Sequence, residues 1–208
     1  MAAARTTRRN GRREALLQAA AEVFFEQGYA ATSIDAIIER AGGSKRNIYN
    51  EFGNKEGLFS AIVRESGADN LLSPLVIEEI EGHDLRATLT AFGRHSMDAY
   101  MSPTLIGIYR IAVTEANRFP DLVKSFYEQG PGRTAVRLAE VLEAARERGE
   151  IQADDCLRLA GHFVGMTRDN LHLQVVLGLR PPPSNEEARE AVASAVEIFL
   201  NGVRRSRK

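Results

Sequence analysis

The chain of 208 residues has one cysteine, Cys156. No disulfide can form within it, and a reducing cytoplasm is the expected setting. No uninterrupted apolar run approaches the roughly 18 residues needed to span a bilayer, so no membrane partner is expected. The start is rich in arginine, from Arg5 to Arg13, but Glu14, Gln18 and Glu22 interrupt the adjoining segment. A signal peptide would need an unbroken apolar stretch there. Excess charge is also lacking. The net charge is -1, so the molecule is no polycation and any nucleic-acid binding must rest on local charge. No stretch alternates with period two, which argues against a sheet. Catalytic signatures are missing too: there is no G-x-S-x-G, no Walker A and no metal-spaced His/Glu set. Gly43-Ser44-Lys45 has a phosphate-loop look, but the rest of that motif and a preceding strand are absent. No enzyme activity, cofactor or metal is expected.

What is present is helix. From Arg12 to Gln27, Leu16, Ala19, Ala20, Val23 and Phe24 recur on one face, and Gly28 ends the run. Thr32 and Ser33 are good N-caps for a short stripe of Ile34, Ile37 and Ile38. Gly42-Gly43 breaks that helix, and Ser44 caps the next, whose Ile48 and Phe52 face inward. Lys55 to roughly Leu72 reads as another. Ser73-Pro74 and Gly82 punctuate the chain. Further helices are expected at about Asp84 to Met101, from Ser102-Pro103 through Val113, and from Asp121 with a break at Gly130-Pro131-Gly132. The last run from there to Gly149, from Ala153 to Leu177 and from Asn185 to Val203. The expectation is an all-α protein of about nine helices. Residues 1–12 form a basic arm, and 13–60 form a three-helix unit whose last helix continues to about 72. Residues 73–208 form a second helical bundle. The arm is either a solvated tail or a segment that reaches phosphates.

The helix opened by Ser44 presents Lys45, Arg46, Asn47, Tyr49 and Asn50. Arg and Lys can donate to guanine O6 and N7, and Asn pairs bidentately with adenine. Tyr49 offers a hydroxyl to phosphate. Lys55 and Thr32 stand at helix N-termini, where the dipole favours a phosphate. Spacing alone leaves two readings open: a DNA-reading helix pair, or a surface pair in an ordinary bundle.

The stretch EALLQAAAEVFFEQGYAATSIDAIIERAGGSKRNIYNEFGNKEGLFSAIV resembles the N-terminal domain of the TetR family of bacterial regulators. The likeness runs through Ala19-Ala20, Phe24, Gly28-Tyr29, Ala31-Thr32-Ser33, Ile37, Ala41-Gly42, Ser44-Lys45, Ile48-Tyr49, Phe52, Lys55-Glu56 and Leu58. It implies a dimeric helix-turn-helix protein that binds a palindromic operator in double-stranded DNA, as a repressor released by a small-molecule effector. An activator or a ligand-independent regulator fits the same domain. A helical carrier or enzyme is the remote alternative. Arg46 and Asn47 stand at positions that vary in the family, so they are the candidates for sequence choice. Two residues depart from the family. Gly43 replaces an aliphatic residue and should loosen the turn by up to about 1 kcal/mol. Glu51 replaces a histidine, and its carboxylate is expected to pair with a nearby Arg or Lys rather than touch phosphate.

The runs YRIAVTEANRFPDLVKSFYEQGP and LEAARERGEIQADDCLRLAGHFVGMTRDNLHLQVVLG resemble the C-terminal domain of an AefR-like subgroup. A pocket between helices would draw on Met97, Tyr100, Tyr109, Phe126, Tyr127, Phe163 and Met166, with His162 or Asn170 as polar anchors. Each of these is also compatible with plain core. The last two helices carry small apolar stripes: Ala160, Gly161, Val164 and Leu171, then Val192, Ala195, Val196 and Phe199. Two copies could pack these as a four-helix bundle between subunits, or the stripes could face their own core.

Overall fold

The computed structural model describes residues 2–65 and 84–203. These residues form ten α-helices and no strand. The helices are α1 (Ala2–Gln27), α2 (Ile34–Ala41), α3 (Lys45–Phe52), α4 (Lys55–Val63), α5 (Leu85–Tyr100), α6 (Pro103–Glu115), α7 (Pro120–Gln129), α8 (Pro131–Glu147), α9 (Cys156–Val176) and α10 (Asn185–Val203). The continuation of α4 to about residue 72, and the stops at Ser73-Pro74 and Gly82, lie outside the described residues.

Helix starts follow short polar caps. Ser33, Ser44, Asp84, Ser102 and Asp155 each accept a backbone N–H from the first turn they open. Such a cap stabilises a helix by about 1 kcal/mol. Pro103, Pro120 and Pro131 sit in the first turn, where the missing N–H costs nothing. The break expected at Gly130 is the boundary between α7 and α8. The start of α1 differs from expectation. The helix runs unbroken from Ala2, so residues 2–12, expected as an arm, are its first turns. Ala2, Ala3 and Ala4 are strong helix formers, and lone Gly11 is tolerated.

The side chains build two cores. One gathers Leu17, Phe24, Tyr29, Ile37, Ile48, Leu58, Phe59 and Ile62 from α1 to α4. Its centre is aromatic: Tyr29 stacks on Phe24 at 5.4 Å and meets Phe59 and Phe119 edge-on at 5.4 and 5.1 Å. The second core lies among α5, α8, α9 and α10, around Leu89, Leu138, Leu142, Phe163 and Val196. The packing does not respect the sequence boundary near residue 73. Leu105, Ile108, Ile111 and Ala112 of α6, with Leu122 and Phe126 of α7, complete the first core. Ile106 of α6 enters the second. Helix α6 therefore belongs to both. It also lies close against α1: a Cβ added at Gly107 would stand 2.6 Å from the Phe25 ring.

The stripes expected at a dimer interface face this chain's own interior. Ala160, Val164, Val192, Val196 and Phe199 lie in the second core, Ala195 is buried, and Leu171 packs against that core. The cause is close helix approach. A Cβ at Gly93 of α5 would stand 2.7 Å from Val192, so α10 fills the groove beside α5. Gly161 is the exception and faces outward, with Leu157, Gly165 and Leu173 along α9 and Ser194, Ile198 and Gly202 along α10. Leu157, Leu173 and Ile198 are more than half exposed.

Candidate nucleic-acid interface

Helix α3 is docked by one fully buried side chain, Ile48, with Phe52 half-buried behind it. Its entry is a tight turn. Gly42 and Gly43 take φ of 71° and 110°, a region that side chains with a Cβ avoid. That gives the Gly43 departure a backbone reason: an aliphatic residue would be strained in this turn. The Ser44 hydroxyl accepts the Asn47 N–H at 3.4 Å. Ser44, Lys45, Arg46, Asn47, Tyr49 and Asn50 are all exposed. The structure thus brings together on one surface six of the eight residues expected to touch DNA.

Lys45 reaches back to α2, where its Nζ meets Asp35 Oδ2 at 2.9 Å. That hydrogen bond and the carboxylate's charge raise the Lys45 pKa. A phosphate approaching Lys45 meets an ammonium already paired with Asp35. Glu51 does pair with an arginine, as expected. Arg13 Nε lies 2.8 Å from Glu51, and Arg13 also bonds Glu65 beyond α4. The Arg13 guanidinium covers the Phe52 ring at 5.5 Å. The Glu65 hydrogen bond, then the two carboxylate charges, raise its pKa. One arginine of the basic segment therefore clamps α1 to both ends of the reading unit. Arg12, one residue earlier, lines a cleft of about 220 Å³ with Gly43, Ser44 and Asn47. Arg12 thus places a cation beside the N-terminus of α3.

Two expected DNA contacts are corrected. Thr32 is buried, and its hydroxyl donates to Gly28 O at 2.8 Å and Val23 O at 3.3 Å. The cap of α2 is Ser33 instead. Lys55 is also turned inward. Its Nζ donates to the carbonyls of Tyr29, Ala30 and Thr32 at 2.7, 3.3 and 2.9 Å, and lies 4.5 Å from the centre of the Tyr29 ring. An ammonium has three donors, and all three are engaged. Burial lowers the Lys55 pKa, partly offset by Glu115. Helix dipole arguments place a cation at an N-terminus. They do not reveal unsatisfied carbonyls some 25 residues upstream in sequence.

The candidate pocket residues divide sharply. Met97, Tyr100, Phe126 and Phe163 are buried, and Tyr109 and Met166 are half-buried. Tyr127, His162 and Asn170 are exposed, so neither expected anchor points inward. The buried histidine is His172. Its ring meets Tyr100 and Tyr109 edge-on, at 5.7 and 4.8 Å between centroids. Burial, then the charge of Arg168, push its pKa down to about 4. The folded imidazole is neutral at pH 7, as is the unfolded one for the most part. Between 6.5 and about 4 the unfolded ring takes a proton that the folded ring refuses, so stability falls as pH falls. Full depression corresponds to about 3 kcal/mol. Urea unfolding from pH 7 to 4.5 is expected to show this loss in the wild type and a shallower decline in His172→Gln. Parallel profiles would place His172 elsewhere.

Comparison with known proteins agrees with this architecture. Residues 16–62 match the model for bacterial regulatory proteins of the tetR family, and residues 87–202 match that for the AefR-like transcriptional repressor C-terminal domain. The HTH-type transcriptional repressor KstR2 of Rhodococcus jostii is 30% identical over 166 residues, covering 76% of this chain and 77% of the repressor. The solved structure of the flavonoid-responsive regulator FrrA is 31% identical with a TM-score of 0.72, covering 95% of this chain and 100% of that one. A TetR family regulator from Pseudomonas syringae shares the fold at 23% identity and a TM-score of 0.73, covering 93% and 97% of the two chains. With its exposed α3, its glycine turn and these matches, the chain belongs to the TetR family of DNA-binding transcriptional regulators.

Proposed function

We propose that the protein is a homodimeric repressor that holds a palindromic operator through α3 and lets go when a small organic molecule binds between α5, α6 and α9. The observation that carries this reading is the set of contacts made by α6. Its Tyr109 lies against His172 of α9. One residue on, Arg110 donates to the carbonyls of Val176 and Val175, which end α9, at 2.8 and 2.9 Å. A turn and a half later, Glu115 accepts the Ala30 N–H at 3.1 Å, in the same loop that Lys55 holds. A shift of α9 therefore pulls on the loop that leads into α2 and α3. A ligand changes an equilibrium only by touching the two states differently, and this contact line supplies the difference. The repressor name of KstR2 and the flavonoid response of FrrA support the same reading.

The symmetry of a palindromic operator and the exposed faces of α9 and α10 support a dimer. One α3 reads one half-site, and a twofold dimer reads both. Glycine at 161, 165 and 202 leaves open space where a Cβ would stand, so a second copy's helices can approach closely.

Footprinting of the purified protein on DNA flanking its own gene tests the function. Protection that one compound abolishes is the expected outcome, and no protection at any such site would overturn autoregulation. Arg46→Ala and Asn47→Ala are expected to alter sequence preference, each lost base contact costing roughly 1–3 kcal/mol. Uniform weakening across operator variants would remove them from direct readout.

A further inference from the structure

Three polar atoms in the C-terminal core have no hydrogen-bond partner among the described residues: Ser96 Oγ, Tyr100 Oη and His172 Nε2. Each of these residues is more than nine-tenths buried. The Thr134 hydroxyl, which donates to Gly130 O at 3.1 Å, interacts with Tyr100 electrostatically, but the pair falls outside hydrogen-bond geometry. Buried polar groups in native proteins are nearly always satisfied, so three unpaired ones in one region call for a partner from outside the chain. Ser96 and Tyr100 stand one turn apart on the same face of α5. His172 meets the Tyr100 ring across the α5–α9 contact, and Tyr109 of α6 closes the other side of the imidazole. Phe126 continues the aromatic wall beyond Tyr109, at 5.9 Å.

A cation stands beside these atoms. Arg168 lies one turn before His172 on α9, and its guanidinium stands 5.1 Å from the Tyr100 ring centroid. It forms no ion pair with a carboxylate among the described residues. Its charge acts on both Tyr100 and His172. The imidazole itself is neutral at pH 7. A buried hydroxyl, an imidazole nitrogen and a guanidinium without a carboxylate partner are donors that suit an anion. A fork of N–H groups suits a carboxylate in particular. The surrounding ring edges suit a flat aromatic body.

We propose that the effector is an aromatic carboxylate of the benzoate or hydroxycinnamate type, bound at this junction of α5, α6 and α9. The assignment rests on the ligand-released reading above and adds the ligand's class. The carboxylate accepts from the Arg168 guanidinium and the Tyr100 hydroxyl, His172 donates from Nε2, and the ring lies along Tyr109. Ser96 is left to bind a polar ring substituent.

Calorimetric titration of the full-length protein with benzoate, 4-hydroxybenzoate and 4-hydroxycinnamate, and with the methyl ester of each, tests it. At least one acid is expected to bind the wild type, with its ester weaker by about tenfold or more. Arg168→Met is expected to remove that preference for the acid, and Tyr100→Phe to weaken the acid alone. Circular dichroism confirms that each variant is folded. If no acid binds, if acid and ester bind alike, or if Arg168→Met leaves the preference intact, the assignment is overturned. Operator retention with an acid bound is a separate readout. It would leave the ligand class standing and sink release by that ligand.

Discussion

Lys55→Met is expected to destabilise the DNA-reading unit by about 2–4 kcal/mol, because it removes three charge-assisted hydrogen bonds at once. The ammonium gathers the carbonyls of Tyr29, Ala30 and Thr32, so it fixes the loop between α1 and α2. Methionine keeps the stem beside Tyr29 and leaves those carbonyls without their donor. The site is half-buried and water can reach part of it, which holds the loss below the full sum of three bonds. For a domain of this size such a loss lowers the melting temperature by roughly 5–10 °C. The salt dependence of operator binding, measured at a temperature where the variant is folded, is expected to keep its slope. Loss of a direct phosphate contact would instead flatten log K against log salt by about 0.9 per contact. An unchanged melting temperature with a flatter slope would return Lys55 to the phosphate backbone.

The second large effect concerns assembly. Ile198→Glu places a charge on the outward face of α10, where the isoleucine is 61% exposed in one subunit. It is expected to yield a folded monomer with operator affinity reduced by more than about a hundredfold, since one half-site's contacts are lost. Val196→Glu is the contrast. Val196 is 1% exposed and lies in the second core, so a carboxylate there unfolds the C-terminal bundle. Sedimentation and thermal melts separate the outcomes. A dimeric, tightly binding Ile198→Glu would move the interface off this face.

These residues also show how far the sequence is legible. The limits of α2, α3 and α10, and the break at Gly130, were readable because caps, glycines and prolines act locally on the backbone. The exposed row from Ser44 to Asn50 was readable because Ile48 and Phe52 fix which side faces inward. Thr32 and Lys55 are not, since Thr32 satisfies carbonyls at the end of α1 and Lys55 those of the loop after it, whose path the sequence does not state. The stripe of Val192 and Val196 was ambiguous for a different reason. Small apolar residues mark close helix approach, and the spacing is the same whether the neighbour is α5 or a second subunit. The sequence does not distinguish buried His172 from exposed His162, because α9 touches several helices. A helix buried on more than one side has no single polar face to index from.

Helix α6 presses on α1 at Gly107, a position defined by what it omits. With no Cβ there, the Phe25 ring fills the space a methyl group would take. The joint between α6 and α1 is therefore closely packed at this point. A flexible tether would absorb a small displacement before passing it on, as a slack rope does. Two helices in van der Waals contact behave as a lever and deliver nearly the whole movement to the far end. In the ligand-released repressor proposed above, a displacement at the effector would reach α1 through this contact, where a hydrogen atom stands in place of a side chain.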